Sequence, residues 1–88
     1  MKILKQPEQI TLYSRAMCSW CEDAKKWLNQ IGWKFNVHDV GKDQEARLKA
    51  VSLSGQKCVP VIEVDGLVLG DFDVNQLEAF LKKNGYLE

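Results

Sequence analysis

The chain has 88 residues, 45% of them hydrophobic and 27% charged, a composition suited to one folded domain with a modest core. Twelve Lys and Arg against twelve Asp and Glu give a formal net charge of zero, which excludes an overall field that would gather nucleic acid or an anionic membrane surface. No apolar run approaches the roughly 20 residues of a membrane-spanning helix, the segment Met1 to Pro7 has no signal-peptide core, and three cysteines are too few for a secreted disulfide scaffold. The expectation is a single domain over residues 1–88 that works as a cytoplasmic monomer, in a reducing compartment where a cysteine pair cycles between thiol and disulfide.

Glu8 to Tyr13 reads as a strand, with Ile10 and Leu12 on one face and Thr11 and Tyr13 on the other. It leads into Cys18-Ser19-Trp20-Cys21, after which Ala24, Trp27, Leu28 and Ile31 recur at helical spacing and Gly32 stands where a C-terminal cap belongs. Trp33, Phe35 and Val37 alternate with Lys34, Asn36 and His38 in a second strand, parallel to the first because one helix separates them. Asp43 caps a helix running through Glu45, Ala46, Leu48, Val51 and Leu53 to Ser54-Gly55. Val59 to Val64 is a β-branched run interrupted by Pro60, Asp65-Gly66 signals a hairpin, and Leu67 to Leu69 returns antiparallel. Asp73 caps the last helix, with Val74, Leu77, Phe80 and Leu81 on one side and Gly85 after its final turn. The order is β-α-β-α-β-β-α, an α/β fold.

The four residues from Cys18 to Cys21 are where local geometry and reactivity coincide. Positions three apart on a helix share a face, with β-carbons about 5–6 Å apart, so the two sulfurs reach disulfide distance with little rearrangement. Cys18, at the first-turn position of the helix, faces unsatisfied backbone N–H groups and the positive end of the helix dipole, which favour its thiolate. It is therefore the nucleophile and Cys21 its partner. A zinc site would need about four ligands, hence convergence of Cys58 and the lone His38 on the pair. His38 reads instead as an exposed strand residue, and Trp27 and Trp33 as core. Trp20 flanks the site and is placed to touch partners. Cys58 reads as a small buried hydrophobe, or alternatively as a third thiol that traps mixed disulfides. Pro60 cannot donate a ladder hydrogen bond, so its position calls for an edge, a bulge or a cis peptide bond.

Tyr13 to Cys21, Ser54-Gly55-Gln56-Lys57-Cys58-Val59-Pro60, Asp65-Gly66 and Leu69-Gly70-Asp71 together resemble the glutaredoxins of the thioredoxin superfamily across nearly the whole chain. The resemblance implies a thioredoxin-like (glutaredoxin) fold, a four-stranded mixed sheet flanked by three helices. It implies thiol-disulfide oxidoreductase activity on disulfide-bonded or glutathionylated proteins, with Cys18 attacking, Cys21 resolving, and a cis Pro60 facing the disulfide. Glutathione is the implied co-substrate, no cofactor is tightly bound, and the expected potential is about −200 to −230 mV. In glutathione-using members a basic residue three before the nucleophile and another on the second helix hold the glycine carboxylate; Arg15 and Arg47 occupy those places, and the Val59 backbone pairs with the cysteinyl unit like an added strand. The γ-glutamyl end falls to Gly70, Asp71 and Asp73.

This chain departs from the family pattern at Trp20, bulkier than the usual aromatic, at Cys58 in place of a threonine, and at Gly70-Asp71-Phe72-Asp73-Val74, where one polar partner has become Val74. Two alternatives follow from the resemblance. One is a glutaredoxin-like redoxin recycled by thioredoxin reductase, and the other a dimer in which Cys18 and glutathione hold an iron–sulfur cluster.

Overall fold

The computed structural model of the protein describes residues 2–88. Strand β1 spans Ile10–Ser14, helix α1 Ser19–Ile31, strand β2 Asn36–Asp39, helix α2 Gln44–Ser54, strands β3 and β4 Val61–Val64 and Leu67–Gly70, and helix α3 Val74–Lys83. The sheet order is β2-β1-β3-β4, with β1 and β2 parallel and the other two pairings antiparallel. The expected element order and strand senses are those observed.

Every residue of β1 is buried, because helices cover both faces of the sheet. On one face Ile10, Leu12, Ile62 and Val64 meet Ala24 and Leu28 of α1 and Leu77 and Leu81 of α3. On the other, Tyr13 and Val61 meet Ala46 and Ala50 of α2, and Cys21 joins this second cluster. Each fully buried Leu contributes roughly 1.5–3 kcal/mol. Trp33 is buried as expected and Trp27 packs against the first cluster.

The caps explain where the helices begin and end. Asp43 and Asp73 accept hydrogen bonds from Ala46 N–H and Gln76 N–H, and Gln76 reciprocates on the Asp73 N–H in a capping box. Gly32 (φ 88°) and Gly55 (φ 70°) close α1 and α2 in the left-handed region, where a side chain would be strained. Helix α3 ends on Asn84 rather than on Gly85, which follows it.

Three strand starts differ from the sequence reading. Strand β1 starts at Ile10, not Glu8, because the N–H groups of Glu8 and Gln9 donate to the Asp65 carboxylate (3.0 and 2.8 Å) instead of to a neighbouring strand. Strand β2 starts at Asn36, and Val37 is 44% exposed rather than sharing a buried face with Trp33 and Phe35. The cause is position: β2 is an edge strand, and Trp33 reaches the core from the turn after α1, where its N–H bonds the Leu28 carbonyl. Strand β3 starts at Val61, since Pro60 has no N–H, and the Val59-Pro60 bond is cis.

The termini pair with one another, which the local pattern did not foretell. Ile3 bridges Leu87, and Leu4 N–H donates to the Tyr86 carbonyl at 2.9 Å. The Tyr86 hydroxyl donates to Asp65 at 2.8 Å, tying the β3–β4 turn to both ends of the chain. Burial, then that hydrogen bond and the Asp65 charge, push the Tyr86 phenol up to about 12. This network lies where β1 begins, whereas the cysteine pair follows the end of that strand. Among the described residues no helix is long and apolar enough to cross a membrane.

Candidate active site

The site assembles where β1 ends. Ser14 closes the strand by accepting from Val40 N–H at 2.8 Å, and the chain then turns through Ala16 and Met17. Met17 has φ 60° and its side chain stands wholly in solvent. Cys18 follows as the N-cap of α1, with extended backbone (φ −107°, ψ 104°), one position earlier than a place inside the first turn. Its sulfur accepts from Cys21 N–H at 3.2 Å, a bond that a Ser, Asp or Asn oxygen makes at an ordinary helix start. The two cysteines are joined in a disulfide with Cα atoms 5.2 Å apart.

The two sulfurs differ in access. Cys21 is completely buried, whereas Cys18 is only partly covered. Trp20, on the first turn, is 52% exposed, so with Met17 it forms an apolar rim beside Cys18 rather than a lid. Val59 belongs to the same apolar cluster as Cys21, and Cys18 packs against that cluster. Helix start and strand start are therefore one surface.

Gln56 builds the approach to Pro60. Its Oε1 accepts from Cys58 N–H at 2.5 Å, and its Nε2 donates to the Cys58 carbonyl at 2.9 Å and to Ser54 Oγ at 3.1 Å. With both main-chain groups of Cys58 held by this amide, the thiol points outward. Cys58 is a free, exposed cysteine, which corrects the reading of it as a buried hydrophobe. The Pro60 carbonyl accepts from Asp71 N–H at 2.8 Å. Val59 is different. The last β1–β3 pair is Tyr13 with Val61, so two residues further Val59 would face Arg15, where β1 has already turned away. No hydrogen bond among the described residues uses the Val59 backbone, so its N–H and C=O are left without a protein partner although the residue is buried.

Of the other residues singled out from the sequence, Arg15 and Arg47 line one open groove of about 700 Å³, together with Lys42 and Lys57. Gly70 sits under the end of α2; a β-carbon there would lie 2.7 Å from Gln56 Nε2 and 2.9 Å from the Ser54 β-carbon, so the position has no room for a side chain. Asp71 is exposed with φ 53°. Asp73 is the capping residue of α3, its Oδ1 accepting at 2.8 Å. His38 is exposed on β2 and stacks on the Tyr13 ring at 5.6 Å. Among the described residues no three His, Cys, Asp or Glu side chains gather as metal ligands. The sequence reading did not find the Gln56 bracket or the contribution of Lys42 and Lys57. The amide and lysines were visible as residues, but nothing local places them together.

A sheet of this order, with a CxxC pair at the N-terminus of α1 and a cis-proline strand start beside it, defines a thioredoxin-fold dithiol protein. Residues 10–69 match the family model described as Glutaredoxin, and the chain belongs to that family. It is 32% identical over 74 residues to an uncharacterized glutaredoxin-like 8.6 kDa protein in the rubredoxin operon of Clostridium pasteurianum, covering 84% of this chain and 99% of that one. Against the glutaredoxin-like protein NrdH of Lactococcus lactis it is 29% identical over 68 residues, covering 77% of this chain and 93% of the relative. A crystal structure of a thioredoxin-like protein superposes with a TM-score of 0.75 at 26% identity, covering 83% of this chain and 100% of that one.

Proposed function

We propose that the protein is a glutathione-dependent oxidoreductase that reduces protein disulfides and glutathione mixed disulfides. The observation that carries the reading is the asymmetry of the pair: a partly exposed Cys18, whose sulfur accepts from the Cys21 N–H, joined to a fully buried Cys21. In the reduced protein that N–H and the helix terminus stabilise the Cys18 thiolate. The thiolate attacks a substrate disulfide, one S–S bond forms as another breaks, and the departing thiolate takes a proton from solvent. Cys21 then attacks the Cys18 sulfur, the substrate leaves as a thiol, and the Cys18–Cys21 disulfide remains. Two glutathione molecules supply the two electrons that reopen it. The first becomes bonded to Cys18, and the second releases it as oxidised glutathione. No tightly bound cofactor takes part.

Glutathione lies with its cysteinyl backbone along Val59, whose main chain has no protein partner among the described residues, beside Pro60, and its glycine carboxylate toward Arg15 and Arg47. Trp20 rims the sulfur. Gly70, Asp71 and Asp73 border the γ-glutamyl end. A second reading, recycling by thioredoxin reductase, is favoured by one observation: Asp73 is already engaged as a helix cap and Val74 offers no polar group.

Single-cysteine variants test the assignment. Cys18→Ser is expected to abolish reduction of both substrate kinds. Cys21→Ser keeps glutathione-coupled deglutathionylation, which needs one attacking sulfur, but loses reduction of protein disulfides. Equal residual activity of the two variants in both assays would sink the roles given to the pair.

A further inference from the structure

We propose that the groove lined by Arg15, three residues before Cys18, and by Lys42, Arg47 and Lys57 binds acidic residues lying just after the reactive cysteine of a protein substrate, so that the protein selects disulfides followed by Asp or Glu. The inference rests on the glutathione pose above and extends it from a tripeptide to a polypeptide. Four cations, Arg15, Lys42, Arg47 and Lys57, line the groove, and no carboxylate does. All four are exposed, and none enters an ion pair among the described residues; the pairs formed are Lys2–Glu88, Lys25–Glu22 and Lys82–Glu78. The two aspartates flanking the groove are turned to the main chain, Asp39 onto Gly41 N–H and Asp43 onto Ala46 N–H.

A single glycine carboxylate pairs with one or two cations and leaves the rest unmatched. In a chain of zero net charge this concentration is local, so it marks a partner that is itself locally acidic. The direction follows from the pose. The carboxylate of glutathione is C-terminal to its cysteine, and a polypeptide in the same slot continues from there into the groove that Lys42 and Lys57 also line. Leu48, 59% exposed, and Val51 give the groove an apolar floor on which the methylenes of Glu side chains can lie. An extended acidic peptide is the occupant we commit to, because in a chain of zero net charge the surface outside the groove adds no positive field that would hold a nucleic-acid backbone.

The test is a single-turnover reaction of the reduced protein, without glutathione or any reductase. Peptides acetyl-Cys-Gly-X-X-amide, with X Glu, Gln or Lys, and glutathione itself are presented as mixed disulfides with thionitrobenzoate, and its release is followed. The Glu peptide should react roughly fivefold faster than the Gln peptide at low salt, from steering and two screened ion pairs, with the Lys peptide slowest. The spread should shrink as salt rises. Lys42→Glu/Lys57→Glu should reverse the Glu over Lys order, while the charge-matched Lys26→Glu/Lys83→Glu, at exposed positions of α1 and α3, should keep it. Lys42→Ala/Lys57→Ala should flatten the order and serves if the reversal variant folds poorly.

Equal rates for the three peptides, or an order untouched by the Lys42 and Lys57 changes, would overturn the proposal. So would tighter binding of a ten-residue oligothymidylate than of the Glu peptide. The outcomes separate from those of the glutathione reading. Fast reaction of the glutathione disulfide with no peptide preference defeats only this inference, whereas a slow glutathione disulfide with the Glu preference intact defeats only the other.

Discussion

In the groove, Arg15, Lys42, Arg47 and Lys57 stand exposed and form no ion pair among the described residues, while four aspartates of the same chain, Asp39, Asp43, Asp65 and Asp73, each hold a main-chain N–H. The acids shape the protein. They start two helices, close a loop and tie a hairpin to a strand entry. The cations shape nothing that the hydrogen bonds or ion pairs reveal, so their charge is available to a ligand. A carboxylate already oriented by a helix N-terminus offers little to a γ-glutamyl group, whereas an unpaired guanidinium offers both charge and a bidentate fork.

The largest effect should come from reversing a groove charge. Arg47→Glu is expected to raise the apparent KM for glutathionylated substrate by about tenfold or more, since a charge-assisted bond worth roughly 1.5–3 kcal/mol becomes a repulsion. The effect should weaken with salt. Arg15→Glu, three residues from Cys18, should in addition shift the pH–rate profile upward by disfavouring the thiolate, while Arg47→Glu leaves the profile nearly in place. Steady-state kinetics over pH distinguish the two. If neither changes glutathione-dependent turnover, the groove does not bind the carboxylate.

A smaller effect tests the other side of the comparison. Asp73→Ala should cost about 1 kcal/mol of stability through loss of the N-cap, and Asp73→Asn, which caps as well without the charge, should restore it. Denaturant unfolding gives the stabilities. A KM change in Asp73→Asn at unchanged stability would show that the charge of Asp73 also reaches substrate.

The smallest effect lies at the far network. Partial burial would raise the Asp65 carboxyl, but the Tyr86 hydroxyl, the N–H groups of Gln9 and Glu8 and the Lys5 charge outweigh it and hold it below its ordinary 3.8. A lowered carboxyl stabilises the fold above that value, and the contribution disappears as pH falls through the folded value. Stability should thus decline below about pH 4, and less steeply in Tyr86→Phe. Thermal unfolding between about pH 2 and 5 checks this; an identical slope in the variant would remove Asp65 from the account.

Much of the fold was legible because its signals are local. Gly32, Asp43, Gly55 and Asp73 mark helix ends by chemistry that acts within one turn, and Pro60 marks a strand start by a missing donor. The Cys18–Cys21 pair was legible for the same reason, since a three-residue spacing on a helix fixes what the sulfurs can reach. What escaped depends on distant partners. Pairing of residues 3 and 4 with 86 and 87 joins the two ends of the chain, and Val37 is exposed because of where β2 lies in the sheet. Cys58 faces out because the Gln56 amide holds its backbone, a side-chain contact no periodicity encodes. The groove draws Arg15 from the end of β1, Lys42 and Arg47 from around α2, and Lys57 from the approach to β3, so its charge exists only in the folded chain.

The most direct test of the proposed activity is the recycling of the Cys18–Cys21 disulfide. The oxidised protein is mixed with NADPH and either glutathione plus glutathione reductase or thioredoxin reductase alone, and NADPH consumption is followed with a disulfide substrate in excess. Sustained turnover with glutathione, slower by at least about tenfold with thioredoxin reductase, is the predicted result, corresponding to roughly 1.4 kcal/mol of discrimination. Fast turnover with thioredoxin reductase and none with glutathione would contradict it, and would assign Arg15 and Arg47 to a protein partner rather than to the tripeptide.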